Sequence, residues 1–228
     1  MIVENEMNPV LLLNKIAKCL MKNQDYDSIN VIRSAKVPLI KLVEKNTNLN
    51  FDISFNKLDG VKQLKEIQKG LEYYPEMKHI LMVMKCFLRQ RDLNETYTGG
   101  IGSFLLFCLI LTYLREVRRE YVEAEAEEEV SKLLLSEHLS KFLDFYVNFD
   151  VINKQIIIAE GGAIVDKYEK DQQLSVISPQ DATHDVGGPS FKVKEVFGIF
   201  KNRYHFLANY NFGEGESILK YLIKAEYL

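Results

Sequence analysis

Apolar residues recur along this chain with two periods, and the changes between them mark out its elements. In PVLLLNKIAKCLMK (9–22), Leu12, Ile16, Cys19 and Leu20 return at steps of three and four residues, which predicts a helix with one buried face. QDYDS (24–28) is turn-like. SINVIRSAKVPLIKLVE (28–44) reads as extended, with Pro38 at an edge or bulge because it has no N–H to give to a ladder. After the turn KNTN (45–48), the stretch NLNFDISFN (48–56) alternates. Leu49, Phe51, Ile53 and Phe55 fall on one side, and Asn50, Asp52, Ser54 and Asn56 on the other. The two extended pieces predict a hairpin with one buried and one polar face. A helix is expected over GVKQLKEIQKGLEYY (60–74).

The apolar pattern grows denser after Pro75. MKHILMVMKCFLRQR (77–91) and SFLLFCLILTYLREVRR (103–119) predict two strongly apolar helices joined by DLNETYTGGIG, and LSEHLSKFLDFYVNF (135–149) predicts a third. KQIIIAEGGAIVDK (154–167) reads as two strands about Gly161-Gly162, a good hairpin turn. LSVISPQDATHDVGGPS (174–190) is a short strand and then a Gly/Pro-rich loop. It leads into a helix carrying Phe191, Val193, Val196, Phe197, Phe200, Tyr204 and Leu207, and a last helix is predicted near Glu216.

Composition narrows the classes. The 228 residues carry a formal net charge of −3, but acidic residues concentrate in REYVEAEAEEEV (119–130), which reads as a solvated helix or loop. That balance argues against binding nucleic acid through bulk charge and leaves a local basic groove open. Cys19, Cys86 and Cys108 are odd in number and lack CxxC spacing, as expected of a reduced intracellular protein. No basic segment follows Met1, so no secretory signal is expected. FLLFCLILTYL (104–114) is about half the length of a membrane span and reads as a buried helix. The expectation is a soluble chain with no membrane partner.

Five places could carry chemistry. Asp52 sits at the centre of a polar strand face, either as a solvated charge or as a metal ligand aimed into a cleft. In TGGIGSF (98–104), three glycines lead into a helix whose natural N-cap is Ser103. Free N–H groups and the positive helix end there suit a phosphate, although no GK[ST] follows as in a Walker A loop, and an ordinary capped connection is the plainer alternative. Lys85 and Arg89 lie four apart on an apolar helix, so they share one face and would accept a triphosphate between them, or stand as two solvated charges. Asp25 and Asp27 have Asp-x-Asp spacing but occupy a polar turn with no strand to aim them, so they are rejected as a metal pair. His184 and Asp185, beside glycines in ISPQDATHDVGG, could read a base edge or serve turn chemistry.

Taken in order, these segments resemble the noncanonical poly(A) polymerases of the Trf type, within the polymerase-β-like nucleotidyltransferases. The resemblance covers nearly the whole chain: VPLIK (37–41), FDISFN (51–56), LMVMKCFLRQRDLNETYTGGIGSF (81–104), IAEGGAIV (158–165), SVISPQDATHDVGGPSF (175–191) and ESILKYLI (216–223). It implies an α+β fold: part of a nucleotidyltransferase palm at 1–57, then a mostly helical central domain of the PAP-associated type at 58–228. It implies an RNA 3′-adenylyltransferase that uses ATP and two Mg²⁺ or Mn²⁺ ions, with Asp52 as one of three metal-binding aspartates. Lys85 and Arg89 would hold the triphosphate, with Gly102 and Ser103 at a phosphate oxygen. Phe104, where relatives often carry Tyr, would stack on the base; Asn56 would reach the ribose; His184 and Asp185 would lie near the base edge.

The resemblance also implies an RNA 3′ end as substrate, a zinc-knuckle RNA-binding protein and an RNA helicase as partners, and nuclear RNA surveillance as the setting. The chain departs from the family pattern in two ways. A Gly-Ser stretch and an Asp-x-Asp pair should precede the helix at 9–22, yet no Gly occurs before Gly60 and Asp25 and Asp27 follow that helix. The expectation is therefore a metal site with one of three carboxylates and a palm without its first strands. His184 stands where Asn is common. Two alternatives stay open: a noncatalytic nucleotide- or partner-binding scaffold, and a terminal uridylyltransferase.

Overall fold

Helix α1 (Pro9–Leu20) begins where the Asn8 side chain accepts a hydrogen bond from the Val10 N–H at 2.9 Å, with Pro9 in the first turn, where no N–H is needed. Its buried residues Leu13 and Ala17 pack on a three-stranded antiparallel sheet, β1 (Tyr26–Ile32), β2 (Leu39–Glu44) and β3 (Asn50–Ser54), in the order β1-β2-β3. The computed structural model describes residues 8–34, 37–55, 59–159, 161–171, 173–213 and 215–224.

Register decides which side chains meet. Val31, Ile40 and Ile53 form one cross-strand row and Ile29, Leu42 and Phe51 another, both on the face packed against α1. The opposite face carries the row Asn30–Lys41–Asp52. Residues 28–44, read from the sequence as one extended piece, are two strands. Pro38 lies in the connection between them, where its missing N–H costs no ladder bond. Arg33 donates to Asn14 Oδ1 at 2.8 Å and ties that connection to α1. QDYDS is also only partly a turn: β1 starts at Tyr26, so Asp27 stands on a strand, at the register shift between Tyr26 and Ser28. The predicted β2–β3 hairpin is present, its turn held by the Glu44 carboxylate accepting from Thr47 N–H at 2.7 Å.

The chain divides into two compact units, residues 1–62 and 63–228. Helix α2 (Asp59–Tyr73) runs from the first into the second, which also contains α3 (Met77–Arg89), a 3-10 turn (Thr96–Thr98), α4 (Ser103–Glu123), α5 (Glu127–Val130), α6 (Leu135–Val147) and α7 (Val193–Asn209). Every residue of α4 from Leu105 to Leu114 is buried, which explains why this segment is apolar all round rather than amphipathic. Around it, Phe87, Phe142, Tyr146 and Phe200 are fully buried. The buried hydroxyls are satisfied: Tyr146 donates to the Leu109 carbonyl at 2.7 Å, and Tyr113 pairs with His138 Nδ1 at 3.1 Å. Among the described residues no helix is long and apolar enough to cross a membrane.

A second small sheet, in the order β5-β4-β6, lies at β4 (Lys154–Ile157), β5 (Ala163–Asp166) and β6 (Val176–Ile177). The last β4–β5 pair is Ile157–Ala163, and the connection between the strands carries Gly161 and Gly162 at φ of 87° and 79°, with the Gly162 N–H donating to the Ala159 carbonyl at 2.9 Å. The acidic segment ends α4, turns at Glu125 and forms the short α5. Two helix starts differ from expectation. Phe191 precedes α7 rather than lying on it, and the last helix, α8 (Leu219–Leu222), begins three residues after Glu216.

Candidate nucleotide-binding site

The connection from α3 to α4 is built from its own backbone. After Arg89 the chain turns through Asp92 (φ 53°); the Leu93 N–H then returns to the Leu88 carbonyl at 3.1 Å, and the Ile101 N–H to the Leu93 carbonyl at 2.8 Å. Gly99 donates to the Thr96 carbonyl and Gly100 to the Glu95 carbonyl, both at 2.9 Å. Gly100 must be glycine, since a Cβ there would lie 2.3 Å from the Leu93 carbonyl oxygen. The N–H groups of Gly99, Gly100 and Ile101 are thus engaged within the connection and not free to meet an anion.

The groups that can meet an anion lie one step later. Gly102, not Ser103, is the N-cap, in extended conformation (φ −68°, ψ 165°) and without a side-chain cap. Ser103 is the first helical residue, and the first helical bond runs from Leu106 N–H to the Gly102 carbonyl at 2.9 Å. The N–H groups of Ser103 and Phe104 therefore precede the intrahelical ladder, at the positive end of a helix of 21 residues. The Ser103 side chain is exposed, while Phe104 is half-buried and stacked on Phe107 at 5.9 Å between centroids.

The loop carrying His184 closes against this helix start. Asp185 Oδ1 accepts from Val176 N–H (2.9 Å), Gly187 N–H (2.7 Å) and Gly188 N–H (3.1 Å), so this oxygen shapes the loop from within. Buried Ser190 donates its hydroxyl to the Gly100 carbonyl at 2.8 Å, and Lys192 N–H donates to the Gly99 carbonyl at 2.9 Å. Two segments about 90 residues apart are thereby joined at the start of α4. His184 is exposed on this loop, with its backbone carbonyl accepting from Ser178 N–H. Sequence reasoning missed Ser190, and the only available signal was a small polar residue just ahead of a predicted helix.

Lys85 and Arg89 do share a face of α3. Both are exposed, on a stripe with Lys78 and Met82, while Ile80, Val83, Met84, Phe87 and Leu88 face the core. Neither takes part in an ion pair among the described residues. Asn56 lies outside the described residues.

In the first unit, Asp52 is exposed on the polar face of β3 with Lys41 as its cross-strand partner. Among the described residues there is no group of three His, Cys, Asp or Glu side chains placed to hold a metal. One carboxylate beside a lysine does not supply the several hard oxygens that Mg²⁺ takes in octahedral geometry. Asp52 with its described neighbours does not fit a two-ion site.

The fold belongs to a known class, that of nucleotidyltransferase polymerase cores. The polymerase core of TRAMP, an RNA surveillance complex, matches with a TM-score of 0.78 over 98% of this chain and 75% of that one, at 23% identity. The structure of mtPAP in complex with ATPγS matches with a TM-score of 0.73 over 98% of this chain and 57% of that one, at 17% identity. Residues 3–68 match the family model for the central palm domain of mitochondrial-like poly(A) RNA polymerase. The chain is similar to Cid14-type poly(A) RNA polymerases: it is 30% identical to poly(A) RNA polymerase CID14 of Cryptococcus neoformans over 94% of its own length and 28% of that protein's. The resemblance to Trf-type enzymes and the α+β class read from the sequence agree with these comparisons. The chain spans between 28% and 35% of the length of the first curated relatives it matches.

Proposed function

We propose that this chain supplies the nucleotide-binding part of an RNA 3′-end adenylyltransferase whose substrates are ATP and a single-stranded RNA end. The observation that carries this reading is the welded helix start. Ser103 and Phe104 offer N–H groups, a hydroxyl and an aromatic face, and the loop bearing His184 is bound to the same place through Ser190 and Lys192. Lys85 and Arg89 are exposed cations without ion-pair partners among the described residues, which suits a polyphosphate. Kinship with poly(A) RNA polymerases supports the same substrate class.

In the proposed reaction, the RNA 3′-oxygen forms a bond to the α-phosphorus of ATP as the bond to the β-phosphate oxygen breaks. Pyrophosphate leaves, and the hydroxyl proton passes to solvent. Lys85 and Arg89 hold the negative charge that grows on the leaving group. Ser103 orients a phosphate oxygen, Phe104 stacks on the base, and the His184 loop faces its edge, with Asp185 holding that loop in shape. Asp52 is the carboxylate the first unit offers to a divalent ion, with further oxygens required beside it. A zinc-knuckle protein, a helicase and a nuclear setting belong to the same proposal.

A noncatalytic nucleotide-binding scaffold is the second reading, favoured because among the described residues no group of three metal-ligating side chains includes Asp52. Equilibrium ATP binding and RNA extension with Mg²⁺ or Mn²⁺ separate the two. Lys85→Ala with Arg89→Ala should weaken ATP binding at least about tenfold, since two charge-assisted contacts are lost. Unchanged ATP affinity in that double variant would sink the nucleotide site itself. ATP binding without extension favours the scaffold, and UTP displacing ATP at lower concentration would make the chain a uridylyltransferase part.

A further inference from the structure

We propose that Phe191 is a stacking platform for a base of single-stranded RNA, with Tyr97, two residues before the glycine that Phe191 rests on, as a second, looser one. The inference rests on the reading of the chain as an RNA 3′-end nucleotidyltransferase and assigns it a surface that the nucleotide site does not use.

Phe191 is 66% exposed, whereas the apolar residues just after it, Val193 and Val196, are almost fully buried. Yet its backbone is pinned on both sides. Ser190 donates to the Gly100 carbonyl, Lys192 N–H donates to the Gly99 carbonyl, and Phe191 N–H donates to the Pro189 carbonyl at 3.1 Å. The ring rests on Gly99: a Cβ there would lie 2.4, 2.5 and 2.6 Å from its Cε2, Cζ and Cδ2 atoms. A ring seated on backbone at one side and open to water over most of its surface is neither core nor a loose surface side chain. It matches the geometry that single-strand binders use, because every base has a π-face to lay on such a ring.

Position and charge point the same way. Gly99 precedes Ser103 by four residues, so the platform lies within about 14 Å of the helix start along the chain. That distance is about four bases at the roughly 3.4 Å spacing of stacked nucleotides. Lys192 follows Phe191, is half-buried and is the N-cap residue of α7, so a cation adjoins the ring in sequence and can meet a backbone phosphate. Tyr97 is 85% exposed on the 3-10 turn two residues before Gly99. Two separate rings with a lysine suit a stacked polyanion better than the continuous apolar patch that a protein partner covers.

The test is fluorescence anisotropy of labelled oligo(A) at fixed salt, with ATP affinity measured on the same variants. Phe191→Ala should weaken RNA binding about fivefold to a hundredfold, and Tyr97→Ala about fivefold or less. Phe191→Leu keeps apolar volume on Gly99 but removes the π-face, so it should lose nearly as much as the alanine variant. Phe191→Tyr should stay within about twofold of wild type. None of these should change ATP affinity. Wild-type RNA affinity in Phe191→Leu would reduce Phe191 to packing and overturn the platform. If the unaltered chain binds ATP but not oligo(A), the platform falls while the nucleotide site stands. If it binds neither, both fall.

Discussion

On the β1–β3 sheet, the row Asn30–Lys41–Asp52 lies open on a regular scaffold, positioned by strand register alone. At the start of α4 the reverse holds. Gly99 and Gly100 donate within their own loop and accept from Lys192 and Ser190 far along the chain. The first region places its candidate side chain through local alternation, and its apolar face runs out at β3, where Phe51 is 45% exposed. The second region places its groups through long-range bonds that leave little freedom. A change at the helix start should therefore be felt as structure, and a change on the sheet face mainly as chemistry.

The largest expected effect is Gly100→Ala, which drives a Cβ into the Leu93 carbonyl and should destabilise the second unit by about 1–3 kcal/mol in urea unfolding. Gly60→Ala is the contrast: nothing lies within 4 Å of its Cβ, and on helix α2 it should gain up to about 1 kcal/mol. Equal effects would erase the distinction between the regions. Next comes Ser190→Ala, which leaves the Gly100 carbonyl without its buried hydroxyl donor and should cost about 1–3 kcal/mol. Hydrogen exchange should show that loss at Gly99–Ser103 rather than on the sheet. Phe51→Thr, on the half-open face of β3, should change stability by no more than about 0.5 kcal/mol. A cost above about 1.5 kcal/mol would mean that something covers that face.

Acid should separate the regions more gently. Burial next to Tyr113 holds the His138 imidazole below its usual range, so the neutral form is the folded one. Its contribution is present above the unfolded value near 6.5 and is lost as pH falls through the lower folded value. In the β2–β3 turn, the Thr47 hydroxyl and the Asn46 and Thr47 N–H groups hold the Glu44 carboxyl below 4.5. Its contribution lasts to lower pH, disappearing only as pH falls below about 4.5 toward the folded value. Hydrogen exchange across a pH series should thus show α4 and α6 loosening before the turn at 45–48. His138→Gln should remove the earlier step, and the opposite order would contradict both assignments.

Legibility followed the same division. The alternation of Leu49, Phe51, Ile53 and Phe55 was enough to put Asp52 on the polar face, because strand period is a local property. Helices α1, α3, α4, α6 and α7 were readable from apolar spacing, and Gly161-Gly162 from turn chemistry. The split between Ile32 and Leu39 was not, since Pro38 is also compatible with an edge or bulge inside a single extended piece. The glycines of the TGGIG loop could be read as phosphate ligands or as an ordinary capped connection, because sequence shows their flexibility and not their partners. The carbonyls of Thr96 and Glu95, the Ser190 hydroxyl and the Lys192 N–H claim them only in three dimensions. Phe191 was drawn into α7 by its spacing to Val193 and Val196, yet the bond from Lys192 to Gly99 holds it outside the helix.

The most direct test of the nucleotide site is a backbone amide NMR titration of the chain with ATP. The account predicts that the amides of Ser103 and Phe104 shift together with those flanking His184. Those of Gly99, Gly100 and Ile101, already hydrogen-bonded within the loop, should move least. Saturable shifts confined to other surfaces, or none at Ser103 and Phe104, would contradict the proposal that the start of α4 receives the nucleotide.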